Sequence, residues 1–356
     1  MKILHIVEDF SLNSGGLRTV IKNLDFYLNS LGHKSYILSS NKENEDKIFI
    51  VKAANKWLYS NKWVGAIDLL VDKYKIEIIH IHGVWLYPQF IGARSAVKKN
   101  IPFVLSPHGM YQPWLWKKGA LKKFFYFYFL SKKWFSKASL IHTITPNEKE
   151  NLKQYFKKNK LVEIPNLISM NIEREQVLNK DKYILYLGRL NKTKGIDLLI
   201  KAFSEINNQD VKLKIAGGFN EYKNELEMLV NSLNLTDKIE FLGLVKNEIK
   251  KELISKAWVM VAPSYSDVIG MVNLEAASFK VPMITTYKVG LKKEWVENGG
   301  KLINPNVKEL KNALIEVLNW TIKERNKNGE LLFNFVKQNY SWKSRLPDWI
   351  NLYKNA

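Results

Sequence analysis

The sequence predicts an α/β protein built as two doubly wound domains facing one another across a central cleft. The 356 residues exceed what a single ordinary core holds. Short apolar runs alternate with amphipathic stretches through both halves, the pattern of mainly parallel sheets covered by helices. Between the halves, 169–182 is polar and lacks periodicity, so it reads as a linker.

In the first half the apolar runs predict strands at Lys2–Val7, Ser35–Ser39, Ile76–His82, Phe103–Ser106 and Leu140–Thr143. Helical periodicity covers Thr19–Leu31 and Val64–Tyr74. In the second half, strands are expected at Tyr183–Leu187, Lys212–Ala216, Ile239–Leu242, Val259–Ala262 and Met283–Thr285. Helices there are expected at Ile196–Ile206, Tyr222–Leu233, Ile249–Ser255, Asn273–Phe279 and Val307–Asn319. The predicted domains are therefore 1–168 and 183–340, with 341–356 an aromatic-rich amphipathic helix.

Composition bounds the setting. Hydrophobic residues make up 46% and charged residues 25%, as in ordinary globular proteins. With no cysteine, thiolate chemistry is excluded and a reducing compartment is compatible. The opening run is too short for a secretory leader, and Phe124–Leu130 is too short to span a bilayer, so a cytoplasmic protein is expected. The formal charge is +21, and residues 98–160 alone carry 14 Lys against two Glu. Within that basic stretch, Trp114–Ser136 interleaves ten aromatic residues with lysine pairs. An interfacial helix on anionic lipid, a nucleic-acid surface and an aromatic core helix with snorkelling lysines all fit such a pattern.

The segment from Pro263 to Ala276 is the most informative. Asp267 and Glu275 stand eight positions apart across Gly270, at a strand-to-helix junction. A helix start offers free N–H groups to phosphate, while carboxylates accept from hydroxyls, so phosphate and sugar are both suited. An ordinary helix start with acids at its dipole would present the same residues. Upstream, the strand Tyr183–Leu187 runs into Gly188-Arg189-Leu190-Asn191-Lys192-Thr193-Lys194-Gly195, where two cations beside a helix start can clamp a diphosphate. Gly15 and Gly16, after the first strand, allow backbone N–H groups to approach an anion, and they do not follow a dinucleotide fingerprint. His80 and His82 share one strand face, which invites a metal, but no companion Cys or acid cluster completes a set.

These motifs together resemble those of retaining glycosyltransferases of the family 4 type, which have the GT-B fold of two Rossmann-like domains. The resemblance covers essentially the whole chain, with Asp267 where the family usually has Glu and Leu167 where it usually has Gly after Pro-Asn. It implies an enzyme moving a sugar from a nucleotide-sugar, a UDP-sugar before a GDP-sugar, to a saccharide or lipid-linked acceptor in surface polysaccharide synthesis. It implies diphosphate contacts for Arg189 and Lys194, a sugar-hydroxyl contact for Asp267, and ribose contacts for Glu275. Backbone around Gly270, Met271 and Val272 would add donors. Gly217 would line the nucleotide pocket, Leu244 would meet the base, and Gly15 and Gly16 would lie near phosphate and acceptor. His108, in Ser106-Pro107-His108-Gly109, would lie near the donor sugar. The terminal helix would cross back onto the first domain. No cofactor or metal is expected, since Arg189 and Lys194 supply the positive charge. The family context favours inner-leaflet lipid over nucleic acid as the partner of Trp114–Ser136. The alternatives are a GT-B nucleotide-sugar epimerase or hydrolase, and a basic membrane- or nucleic-acid-binding protein.

Overall fold

A computed structural model of the chain describes residues 1–11, 14–41, 48–53, 55–113, 116, 119–170, 182–206 and 210–356. Most of the expected linker lies outside these residues, as do Trp114, Lys117 and Lys118 of the basic aromatic stretch. The chain divides into two compact units: Met1–Asn166 with Arg345–Ala356, and Leu167–Ser344.

Unit 1 is built on a seven-stranded parallel sheet in the order β3-β2-β1-β4-β5-β6-β7. The strands are β1 (Lys2–Ile6), β2 (Lys34–Ser39), β3 (Ile48–Ile50), β4 (Ile78–His82), β5 (Phe103–Ser106), β6 (Leu140–Thr143) and β7 (Leu161–Glu163). Side chains alternate between faces of a strand. Leu4, Ile6, Ile79, Ile81, Phe103, Leu105 and Ile141 therefore share one apolar core with Trp63, Ile67, Phe90 and Ile91 from two covering helices. The opposite face receives His5, His80, His82, Ser106 and His142, all buried. Trp349 and Tyr353 of the terminal helix Trp342–Lys354 pack on that face, with Trp349 4.6 Å from the His142 ring.

Unit 2 carries a six-stranded parallel sheet in the order β10-β9-β8-β11-β12-β13. Its strands are β8 (Tyr183–Leu187), β9 (Lys212–Ala216), β10 (Ile239–Gly243), β11 (Val259–Ala262), β12 (Met283–Thr286) and β13 (Lys301–Ile303). Chain order reverses direction between β8 and β11 here, and between β1 and β4 in unit 1. Such switch points leave a crevice at the carboxyl ends of the strands, where ligands of doubly wound sheets bind. Arg189 and Lys194 follow β8, and Asp267 follows β11, so the sheet order puts all three at one switch point.

The basic aromatic stretch folds as a helical run, Ala120–Phe125, a π-helical turn Tyr126–Ser131, then Lys132–Phe135. Phe127 and Phe135 are buried in the core, so part of the stretch is core helix. Leu121 (73%) and Phe129 (76%) stand out to solvent, with Phe124, Phe125 and Tyr128 also exposed. Among the described residues no helix is long and apolar enough to cross a membrane.

Candidate functional site

In unit 2 the loops after β8 and β11 are tied together. Tyr186 Oη donates to the Arg189 carbonyl at 3.0 Å, and Asn191 Oδ1 accepts from the Thr193 N–H and hydroxyl, each at 2.9 Å. The Tyr265 N–H donates to Thr193 O at 2.9 Å. Gly195 has φ +66, and a β-carbon there would run into the Pro263 carbonyl, so only glycine lets the loops close. This seating brings Lys194 Nζ onto Asp267 Oδ2, while Asp267 Oδ1 accepts from the Val268 N–H at 2.8 Å. Arg189 stays exposed beside them in sequence.

Glu275 lies on the helix Met271–Ser278, which starts at Gly270. It does not meet Lys194; its Oε1 accepts from Lys250 Nζ at 2.7 Å. Lys250, on the helix Asn247–Lys256, was not singled out from sequence, because only the folded chain brings it beside Glu275. Asn273 is also new. Its Nδ2 donates to Ile269 O at 2.6 Å, bracing the helix start. Met271 and Val272 are half-buried in the first turn, where N–H groups have no intrahelical acceptor. Gly217 donates its N–H to Gly243 O at 2.8 Å, and a β-carbon on it would strike Gly188 O, so its contribution is close approach of strand ends. Leu244 is largely exposed beyond β10. Partly exposed ion pairs such as Lys194–Asp267 and Lys250–Glu275 are worth about 0–1 kcal/mol, so a polyanion can displace them at little cost.

In unit 1, Gly15 (φ +63) precedes the helix Gly16–Ser30, and Asn13 of that loop lies outside the described residues. His108 follows β5 with φ +53, an uncommon conformation for histidine, and Gly109 follows at φ +76. A residue missed from sequence secures this turn. Glu148 Oε1 accepts from the Gly109 N–H at 2.5 Å and Oε2 from the Ile144 N–H at 2.7 Å. Burial raises its carboxyl pKa, and those two backbone bonds oppose the rise. Thr145-Pro146-Asn147-Glu148 reads as a helix-start signature, but the Glu is spent on the His108 turn instead. At the β1–β4 switch point, Glu8 Oε2 accepts from Gln89 Nε2 at 2.5 Å, and that amide also reaches His82 O at 2.9 Å. Burial pushes the Glu8 carboxyl up to about 7 against those hydrogen bonds.

The buried histidines form two hydrogen-bonded rows. In one, His5 Nδ1 lies 2.9 Å from His82 Nε2, and His82 Nδ1 lies 2.9 Å from His108 Nε2. In the other, His142 Nε2 is 2.7 Å from Ile164 O, and a carbonyl only accepts, so Nε2 carries the proton. Ser106 Oγ must then donate to His142 Nδ1, His80 Nε2 to Ser106 Oγ, and Tyr353 Oη to His80 Nδ1, at 2.8, 2.7 and 2.7 Å. Every group in that row is satisfied with neutral rings. Desolvation lowers the pKa of all five histidines: to about 3 for His5 and His108, to about 4 for His142, and well below the usual value for His80 and His82. His5, His80 and His82 offer ligand atoms within 4.8 Å of one another. Among the described residues, His5 Nε2 alone of their six nitrogens lacks a partner, so the set is committed to hydrogen bonds as it stands.

Comparison with known proteins gives these positions a context. Residues 14–171 match the Glycosyltransferase Family 4 model, and residues 169–330 match Glycosyl transferases group 1. An uncharacterised glycosyltransferase of Methanocaldococcus jannaschii is 29% identical over 80% of this chain and 76% of its own length. The Campylobacter jejuni GalNAc-alpha-(1->4)-GalNAc-alpha-(1->3)-diNAcBac-PP-undecaprenol alpha-1,4-N-acetyl-D-galactosaminyltransferase is 26% identical over 68% of this chain and 64% of its own. Anabaena HepE, solved with UDP-glucose, superposes with a TM-score of 0.81 at 16% identity over the whole of both chains. The two models adjoin along the chain and the two sheets match GT-B structures: the chain belongs to the GT-B glycosyltransferases.

Proposed function

We propose that this chain is a retaining, metal-independent hexosyltransferase that moves a sugar from a UDP-sugar to a saccharide or lipid-linked saccharide in surface polysaccharide synthesis. The observation that carries the reading is the pairing of Lys194 with Asp267 at the β8–β11 switch point, next to Arg189. A donor diphosphate would draw Lys194 away from Asp267 and take Arg189 as its second cation, freeing the Asp267 carboxylate for a sugar hydroxyl. Glu275 would release Lys250 and accept from the ribose. As the bond from C1 to the diphosphate oxygen breaks, the acceptor oxygen bonds C1 on the same face, and the departing oxygen takes its proton. The lysine and arginine charges offset the negative charge growing on the leaving group. His108, Gly15 and Gly16 belong to unit 1, to which we assign the acceptor. The relative's undecaprenol-linked substrate and the UDP-glucose of HepE support the choice of donor and acceptor class.

The test is a thermal-shift screen without added metal, using UDP, GDP, ADP and their sugar conjugates, followed by product analysis with and without acceptor. Selective stabilisation by one UDP-sugar is expected, about 2.7 kcal/mol at a hundredfold excess over Kd. No response to any nucleotide sinks the donor site. Free sugar or an epimer formed regardless of acceptor replaces transfer by hydrolysis or epimerisation.

The exposed rings of the helical run support a second assignment, peripheral attachment to an anionic inner leaflet. Leu121, Phe124, Phe125 and Phe129 offer apolar surface, with Lys122, Lys123, Lys132 and Lys133 beside them in sequence to meet headgroups. Phe125→Ser with Phe129→Ser should weaken partition onto anionic phospholipid vesicles by on the order of tenfold or more, from the apolar area lost. Equal binding of the variant would remove the patch as the contact. Stronger competition by oligonucleotides than by vesicles would point to nucleic acid.

A further inference from the structure

We infer that His5 and His82 are positioning residues that hold His108 as a neutral imidazole with its proton on Nδ1, so that it meets substrate oxygen as a hydrogen-bond donor. The proton placement follows from geometry alone; the role towards substrate rests on the transferase reading.

The three rings form one nearly coplanar row, His5 on His82 at 5.2 Å and 26°, His82 on His108 at 5.2 Å and 21°. Each contact joins Nδ1 of one ring to Nε2 of the next. A neutral imidazole has one proton and one lone pair, so the row runs wholly in one direction or wholly in the other. If it runs towards His5, His108 Nε2 donates to His82, His82 Nε2 donates to His5, and His5 Nε2 carries an N–H. That nitrogen is buried with no partner among the described residues. If it runs towards His108, His5 donates from Nδ1, His82 donates from Nδ1, and only a lone pair is stranded at His5 Nε2. A buried donor left unmet is rarer than an under-used acceptor. The outward direction is therefore favoured. His108 Nε2 becomes the acceptor and its Nδ1 carries the proton. His108 is also the one member of the row that is not fully buried. The unusual backbone of His108, held by Glu148 through Gly109, places the ring at the end of this row.

This arrangement separates two jobs that histidine could do. As an Nδ1–H donor, His108 can hold a hydroxyl or carbonyl oxygen but cannot take a proton at that atom. The second row reaches a defined polarity through the Ile164 carbonyl. The first reaches it by leaving its deepest nitrogen as a bare lone pair.

The experiment is long-range 1H–15N correlation on the full chain labelled at histidine, at neutral pH, with and without UDP. Expected is His108 protonated on Nδ1 only, and likewise His82. An Nε2–H tautomer on His108, or a doubly protonated ring, overturns the inference. Two variants then test the positioning role. His82→Asn retains an amide N–H at the place of Nδ1, and should keep the His108 tautomer and transfer activity. His82→Leu removes that donor, and His108 should become a tautomer mixture with kcat down about tenfold and the donor KM little changed. If His82→Leu does not fold, His5→Leu serves in its place with the same expectation. Wild-type kcat in the Leu variant, or loss in the Asn variant with the fold intact, would also overturn it. A correct tautomer in a chain that transfers no sugar would leave the proton placement standing and defeat the transferase reading alone.

Discussion

Acidification from pH 7 to 5 should unfold unit 1 and spare unit 2. All six histidines precede residue 143, and five of them are held neutral by burial with pKa values of about 3 to 4 or well below the usual value. In the unfolded chain these rings return to about 6.5. Below that value the unfolded state binds protons that the folded state refuses, so stability falls as pH falls. One unit below 6.5, each such histidine costs on the order of 1 kcal/mol, and five together cost several. That is comparable to the whole stability of an ordinary domain. Glu8 works in the opposite sense. Its folded pKa of about 7 lies above its unfolded value of 4.5, so its contribution is full below 4.5 and is lost as pH rises through 7. Glu148, its carboxyl also raised by burial, works in the same sense, and these two carboxyls leave most of the five histidines unopposed. Urea unfolding at half-unit pH steps should show one transition moving steeply to lower urea below pH 6.5, and a second that lags. Coincident, pH-independent transitions between 7 and 5 would mean that the histidine layer admits water or protons in the folded state.

Replacing Lys194 by alanine should cost two to three orders of magnitude in transfer while barely moving the melting temperature. The residue is about one-fifth exposed and its bond to Asp267 is of the kind worth about 0–1 kcal/mol. Its value lies in the reaction. A fixed donor aimed at charge that develops in the transition state is worth roughly 2.7–4 kcal/mol. The variant should therefore fold, still bind the uridine end through the Glu275 side of the site, and turn over about 10²–10³-fold more slowly. Retention of a tenth or more of wild-type kcat would take Lys194 out of the diphosphate site.

Much of this architecture is legible in the chain, because central strands of a parallel sheet are buried on both faces and read as continuous apolar runs. The strands left out of the prediction are β3, β7 and β13, three residues each and too short to show a pattern. The helix Tyr87–Lys98 was hidden for the opposite reason. Tyr87, Gln89, Phe90, Ile91, Ala93, Ser95 and Ala96 are all buried, so it has too little polar face to reveal a period. The helix Ile322–Asn339 announces itself through the Thr321–Glu324 capping box, but its buried side opens with Arg325 and Gly329 where apolar residues would be sought. In the site, residues within one loop or motif could be read as groups. Lys250 and Glu148 could not, since each meets its partner across 25 or 39 positions of chain. His80 and His82 declare a shared face by their spacing, whereas His5 joins them only because β1 pairs with β4.

The hydroxyl of Tyr353, first donor of the row that ends on Ile164 O, is made after every residue of unit 2. During synthesis the seven strands of unit 1 are complete long before Trp349 and Tyr353 arrive to pack on His80 and His142. Until then the sheet lacks the packing of Trp349 and Tyr353 against His80 and His142. The nascent first half is thus a provisional fold, which the last stretch of the chain converts into a finished one. A ribosome-bound intermediate ending before residue 345 should be the species most exposed to chaperones and proteases.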